Sequence, residues 1–385
     1  MTAAAPQVLV ASDKFKGSLT AAQVAAAVTA GIRRVSDVRV VTVPVADGGD
    51  GTVDAAVSAG FIRVPVVASG PTGDPVETSY ARRLDTAVIE MADVSGLVRL
   101  PGGQRRPLTA TSRGLGEVIA AAIDAGCTSI VVGIGGSAST DGGAGMVAAL
   151  GARLLDAAGN DLPDGGAALA GLAGLDLGAL RSRMEGITVT VACDVNNPLL
   201  GERGAAAVYG PQKGATADDI ERLDAALAHW ADIVEEASGR DERHQPGAGA
   251  AGGVGFGAVA VLGAGLKPGI DLLLELVGFR AELAQLTPDD LVVTGEGSLD
   301  EQTLHGKAPA GVAAAASSAG IPVVAVCGRT TLDSDRLREA GIEKAYALTD
   351  LEPDLQRCFD EAGSLLERIG ERLAWDRLTS SRPTK

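Results

Sequence analysis

Five stretches of this chain gather charged and hydroxyl side chains among glycines, a composition that holds anions and hard cations better than it packs a core. Residues 12–18 read SDKFKGS and set Asp13, Lys14 and Lys16 just ahead of a capped helix. A lysine there can reach a phosphate or a carboxylate, helped by the positive end of the helix, although a solvated strand-to-helix turn has the same look. Residues 46–52, ADGGDGT, place Asp47 and Asp50 three apart, and the glycines let both carboxylates face one point. Such a pair suits Mg²⁺; the plainer alternative is an Asx turn in which Asp50 or Thr52 caps the next helix. Residues 131–145, VVGIGGSASTDGGAG, run from a strand into Gly135, Gly136, Ser137, Ser139, Thr140 and Asp141, the makings of an anion nest. Gly133, Gly135 and Ala138 also fit GxGxxA, but a dinucleotide site wants an acidic residue about 20 positions on at the end of a second strand. A helix and loop fill that span, so the phosphate of a mononucleotide is the better match. A tight turn packing helix on strand explains the glycines but not so many hydroxyls.

Residues 192–201, ACDVNNPLLG, bring Asp194 and Asn197 together, and YGPQKGA follows with Gln212 and Lys213. By analogy, an Asp beside an Asn is a base-plus-metal arrangement in phosphoryl transfer; a helix cap at Asp194 competes with that reading. Residues 291–307 put Glu296, Ser298 and Asp300 at a strand end, with Lys307 opening the next helix. GKA is not GK[ST] and the first Walker glycine is missing, which excludes a P-loop. Arg113, after TATS, joins Lys14, Lys16, Lys213 and Lys307 among glycines and hydroxyls and away from ordinary charged helix faces. His305 is the only histidine inside a motif, and His229 and His244 read as surface residues, so a Ser-His-Asp hydrolase has little support.

Positioning these groups requires strand-loop-helix units. Apolar runs at 8–12, 38–45, 129–134, 291–295 and 323–327, apolar on both faces, are each followed by a turn and an Ala-rich helical segment, which predicts a covered parallel sheet. Thr20 and Gln23 form a capping box, and Gly31, Gly60, Gly126, Gly159 and Gly320 stand where helices should stop. Between 61 and 98 the pattern changes to short alternating runs broken by PTGDP, which predicts antiparallel hairpins. The expected architecture is α/β: a discontinuous Rossmann-like domain (1–60, 105–159 and 286–375) with an inserted α/β domain (61–104 and 160–285) and a flexible tail at 376–385. Ligand would bind in the cleft between the domains.

The 385 residues exceed one ordinary core, and a formal charge of −16 repels polyphosphate backbones, so nucleic acid is a poor partner. An anionic substrate would therefore need the local positive charge just described. Cys127, Cys193, Cys327 and Cys358 lie far apart with no metal-ligand spacing, which reads as reduced thiols in a cytoplasmic protein. The N-terminus lacks a secretory pattern, and the uncharged stretch 247–266 is too rich in Gly and Ala for a membrane span. It reads as a buried glycine-rich segment. Oligomeric state, a homo-oligomer included, is left open.

Seven motifs in one order, SDKFKGSL, ADGGDGT, GIGGSASTDGG, CDVNNPLLG, YGPQKGA, GAAGGVGFG and VTGEGSLDEQT, make the chain similar to bacterial glycerate kinases of the type without a P-loop, from Val8 to about Leu348. The resemblance implies ATP- and Mg²⁺-dependent phosphorylation of D-glycerate at the 2-hydroxyl, on a Rossmann- or flavodoxin-like domain plus a restriction-enzyme-like one. Joined to the residues, it gives a working assignment. Lys14, Lys16 or Arg113 takes the substrate carboxylate. The Gly135–Thr140 loop takes the ATP phosphates, with Lys213 or Lys307 neutralising charge, and Asp47 and Asp50 hold Mg²⁺. Asp194 orients the attacking hydroxyl and accepts its proton, supported by Asn197 or Glu296, with Lys14 also in reach of the reaction; domain closure would exclude water. A kinase of another hydroxy acid, a 3-phosphoglycerate-forming kinase, a nicotinamide-dependent oxidoreductase and a non-catalytic acid-binding protein are the alternatives.

Overall fold

The computed structural model describes residues 6–46, 49, 51–304 and 306–379. Its strands, in chain order, are β1 (Gln7–Ser12), β2 (Arg39–Thr42), β3 (Ile62–Ser69), β4 (Pro75–Arg83), β5 (Thr86–Glu90), β6 (Ser129–Gly133), β7 (Arg153–Leu155), β8 (Gly174–Asp176), β9 (Thr188–Ala192), β10 (Gly265–Lys267), β11 (Leu291–Leu299), β12 (Val323–Thr330) and β13 (Lys344–Ala347). The chain forms two compact units: Met1–Asp47 with Asp54–Gly60 and Ile270–Lys385, and Gly48–Val53 with Phe61–Gly269.

The first unit is a parallel sheet in the order β13-β12-β11-β1-β2. Counted along the unit's own chain this is 2-1-3-4-5, the flavodoxin-like order, whose switch point lies between β1 and β11. Val8, Leu9, Val10 and Ala11 of β1 are wholly buried. β2, expected to be covered on both faces, is an edge strand with Arg39 and Thr42 exposed. The helix Ala21–Val35 starts at the expected capping box, with Gln23 N donating to Thr20 Oγ1 at 3.3 Å and Thr20 N donating to Gln23 Oε1 at 2.9 Å. It does not stop at Gly31. There it crosses the helix Ala362–Arg377 so closely that a Cβ would sit 1.9 Å from the Glu367 carbonyl oxygen. A glycine inside a helix can thus mark an approach instead of an end. The expected tail is also partly folded: Asp376 accepts from Lys344 Nζ at 2.6 Å, and Arg377 pairs with Glu343.

The second unit is a six-stranded sheet, β10-β9-β6-β5-β4-β3, parallel from β10 to β5 and antiparallel at β4 and β3. The hairpins expected after residue 61 are present. Residues 105–159, expected with the first strand, instead carry β6 into this sheet, where it pairs in parallel with β5 and β9. An apolar parallel strand has the same pattern in either sheet, so hydropathy does not choose its neighbours. Residues 270–285 go the other way, into the first unit. Gly159 ends no helix; it lies in the turn between β7 and its return to Asp161. The glycine-rich stretch forms the buried helix Ala250–Leu262, in which Ala251, Gly252 and Gly253 adopt left-handed φ of 55°, 71° and 90°. Among the described residues no helix is long and apolar enough to cross a membrane.

The helix crossing yields a paired prediction. Gly31→Ala gains helix propensity but overpacks the contact, and should lose about 1–3 kcal/mol in urea denaturation. Gly363→Ala, in the partner helix with nothing within 4 Å of the added methyl, should gain up to about 1 kcal/mol. A Gly31→Ala protein as stable as the parent would refute the close-packed crossing.

Candidate active site

In the second unit the carboxyl ends of the parallel strands fall in one row, with Glu90, Gly133, Ala192 and Lys267 in register across β5, β6, β9 and β10. Loops leaving such a row are where α/β proteins place ligand-binding groups. The loop after β6 holds Gly135, Gly136, Ser137, Ser139 and Thr140. Gly136 takes φ 71°, and its carbonyl accepts from Leu97 N at 2.9 Å. Ser139 and Thr140 are fully buried, and neither hydroxyl has a hydrogen-bond partner among the described residues. Buried hydroxyls are nearly always paired, so two adjacent exceptions call for an explanation.

The same loop is tied from within by Asp141. Its Oδ2 accepts from Ser112 N and Ser112 Oγ, both at 2.8 Å, and from Gly145 N at 3.3 Å, while Oδ1 accepts from Gly143 N at 3.2 Å. Burial raises the Asp141 pKa and these donors act against it. Lys213, expected to meet phosphate, is itself buried; its Nζ donates to the Ser139 carbonyl at 2.5 Å. Burial pushes its pKa down to about 7, with the Asp141 charge pulling the other way.

Asp194 follows β9 and is exposed, with Oδ1 accepting from Gly269 N at 2.8 Å. Asn197 does not support it. Its Nδ2 donates to the Arg203 carbonyl at 2.8 Å and its Oδ1 accepts from Tyr209 Oη at 2.7 Å, so its side chain folds its own loop. Arg113 is likewise engaged: Nε and one terminal nitrogen fork onto Asp164 at 2.6 and 2.7 Å. Two residues that the sequence did not single out stand in the row. Glu90 is buried and accepts from Gly51 N at 3.1 Å and Val53 N at 3.3 Å, anchoring the start of the helix Thr52–Ser58. A carboxylate closing the apolar run Val88–Ile89 was its only signal. Lys267 is exposed at the end of β10, next to the strand that leads to Asp194. Asp47, Asp50 and His305 lie outside the described residues; among the described residues no group of three or more His, Cys, Asp or Glu could hold a metal.

In the first unit, the switch point carries the other candidates. The loop after β1 closes on itself, with Phe15 N donating to Leu19 O at 2.9 Å and Leu19 N returning to Phe15 O at 3.0 Å. Phe15 is buried beneath it, which leaves Lys14 half-buried and Lys16 exposed on either side. Glu296, expected at a strand end, sits within β11, which runs on to Leu299 and pairs Glu296 with Cys327 of β12. Thr303 Oγ1 donates to Glu296 Oε1 at 2.5 Å and Lys307 Nζ lies 3.5 Å from Oε2, while burial raises the carboxyl pKa. Lys307 is thus partnered with a carboxylate at the start of the helix Ala308–Ser318. His229, read as a surface residue, is half-buried, with Nε2 2.7 Å from the Leu172 carbonyl.

A model of the glycerate kinase family matches residues 8–377. The chain is 46% identical over 374 residues to a glycerate kinase of Bacillus subtilis (strain 168), covering 96% of this chain and 97% of that one. It is 42% identical over 373 residues to a glycerate 2-kinase of Escherichia coli (strain K12), covering 96% and 97%. A crystal structure assigned as glycerate kinase 2 from Salmonella typhimurium LT2 superposes with a TM-score of 0.86 at 42% identity, covering 97% of this chain and 98% of that one. Matched from its first strand to its last long helix, the chain belongs to the glycerate kinase family.

Proposed function

We propose that the protein transfers the γ-phosphoryl group of ATP to the 2-hydroxyl of D-glycerate, giving 2-phosphoglycerate and ADP in the cytoplasm. The observation that carries the reading is the family match over residues 8–377, and the 2-position rests on the likeness to a relative named glycerate 2-kinase. The loop from Gly135 to Thr140 receives the nucleotide phosphates. Its support is the pair of buried, unpartnered hydroxyls on Ser139 and Thr140, which a phosphate oxygen or its water would satisfy. Lys14 and Lys16, flanking an anchored phenylalanine, take the substrate carboxylate. Free cysteines, all four of them, accord with a reducing compartment.

Mg²⁺ takes hard oxygen donors such as carboxylates and phosphates, so Asp47 and Asp50 are the residues assigned to it on their chemistry. When bound, Mg²⁺ would neutralise charge on the β- and γ-phosphates. Glu90, by holding the amides of Gly51 and Val53, fixes the chain that leads out of that stretch. Asp194 orients the substrate hydroxyl and accepts its proton as the hydroxyl oxygen bonds to the γ-phosphorus and the bond to the ADP oxygen breaks. Its link to Gly269 N holds one carboxylate oxygen in place. Glu296 and Lys307 form a buttressed pair beside β11 of the first unit, where Lys307 neutralises charge that develops on the transferred group.

Incubation with D-glycerate and Mg-ATP, followed by ³¹P NMR, should give the 2-phosphoglycerate resonance. A 3-phosphoglycerate signal would overturn the regiochemistry, and intact ATP with folded protein would overturn the reaction. Asp194→Asn should lower kcat about 10²- to 10⁴-fold while Mg-ATP binding is preserved, as for loss of a general base. A near-parental kcat would remove Asp194 from that role.

A further inference from the structure

We propose that Lys213 is a positioning residue, an internal cation that latches the loop 135–140 in its ligand-binding shape by drawing the Ser139 carbonyl inward. The proposal rests on the reading of that loop as the nucleotide-phosphate site.

A lysine is almost never fully buried without a partner, yet only 1% of Lys213 is exposed. Its ammonium is committed to the protein's own main chain instead of standing open as an ordinary phosphate-contacting group. The side chain enters from the 3₁₀ turn Pro211–Lys213, which Gly214 ends at φ 90°. Its Nζ meets the Ser139 carbonyl at 2.5 Å. The space for that meeting is kept by Gly252: a Cβ there would lie 2.8 Å from Nζ and 2.1 Å from the Ser139 oxygen. Gly252 has a left-handed φ of 71° and its carbonyl accepts from Gly142 N at 3.0 Å, so the glycine-rich helix seals the latch from the other side. Three motifs far apart in sequence, around residues 139, 213 and 252, therefore converge on one buried bond.

The chemistry of the bond suits a latch. Lys213 engages the backbone of Ser139, while the hydroxyls of Ser139 and Thr140 have no partner among the described residues. The loop is held by its main chain and its side chains are left uncommitted. Asp141 is the charged group that acts on Lys213, and its own carboxylate is bound to Ser112, Gly143 and Gly145. Burial brings the lysine pKa down to about 7. Below that pH the bond to Ser139 is charge-assisted, and as pH rises through it the donor becomes a neutral amine with weaker hold. Nucleotide affinity should fall on the alkaline side.

The test is calorimetric titration of the full chain with Mg-ATP at saturating Mg²⁺ from pH 6 to 9, on the parent, Lys213→Met and Gly135→Asp. The parent should lose affinity above pH 7, approaching tenfold per pH unit for one linked proton. Lys213→Met should bind about 10- to 100-fold more weakly at pH 6, as for a misplaced site, with no such dependence on pH. Gly135→Asp, which puts a carboxylate in the loop, should abolish binding. If Gly135→Asp binds like the parent, the phosphates lie elsewhere and the underlying reading falls, the latch with it. If Gly135→Asp loses binding but Lys213→Met keeps the parental affinity and pH profile, the latch alone is refuted. Should Lys213→Met not fold, the parent decides: affinity constant from pH 6 to 9 overturns the proposal.

Discussion

The second unit is organised around a carboxylate sealed from water. Stripping solvent from an ionised carboxyl costs several kcal/mol even after the protein relaxes, and only dense hydrogen bonding offsets it. Asp141 obtains four donors from two separate segments, Ser112 on one side and Gly143 and Gly145 on the other. That requirement dictates much of the local chain. The backbone must curl round the carboxylate, which puts Gly142 and Gly143 at φ 63° and 77°. Trp230 closes the cage by donating its indole N–H to the Gly142 carbonyl at 3.0 Å. Lys213 adds the compensating charge, and the helix containing Gly252 must come near enough to exclude water from all of it. The candidate phosphate loop is thus rigid because of what lies beneath it.

Close approach by glycine is the recurring means. Gly145 brings its helix against Thr111, where a Cβ would meet Oγ1 at 2.2 Å; Gly166 meets the Thr140 carbonyl at 2.0 Å. In the first unit the same economy of side chain lets Gly31 and Gly370 bring two helices into backbone contact. With few aromatic residues to fill space, Ala- and Gly-faced elements compensate by packing their main chains together. The surface charge network is of a different kind. Arg336 with Glu301 and Glu339, for example, is solvent-exposed and contributes little to stability.

Much of this was legible in the sequence, for identifiable reasons. The strand-loop-helix alternation and the hairpins follow from period and turn residues, which are local. So does the capping box at Thr20, because a helix start is decided within four residues. What the pattern did not disclose was partnership across long separations. Composition does not tell which sheet β6 joins, since any buried parallel strand has the same one. Asn197 and Arg113 looked available until Tyr209, Arg203 and Asp164 took up their side chains. Lys213 looked like a phosphate ligand because its sequence neighbours are polar, whereas its spatial neighbours are Ser139 and Gly252. Glu90 is inconspicuous for the opposite reason, as a single charge in an apolar run.

The central pair of the first sheet also sets an order of events for a growing chain. Val8 of β1 pairs with Leu291 of β11, across the whole of the second unit's sequence. Loop-closure entropy grows only slowly with length, so the finished pairing is not much weakened by the separation. Its timing is another matter. Synthesis at about 5–20 residues per second means that β1 waits for its partner for many seconds, while everything the second unit needs has already emerged by Gly269. During that interval β1 lacks the strand that should pair with its other edge. The nascent chain therefore carries a completed folding unit and an exposed strand edge together, the condition under which a chaperone has most to bind.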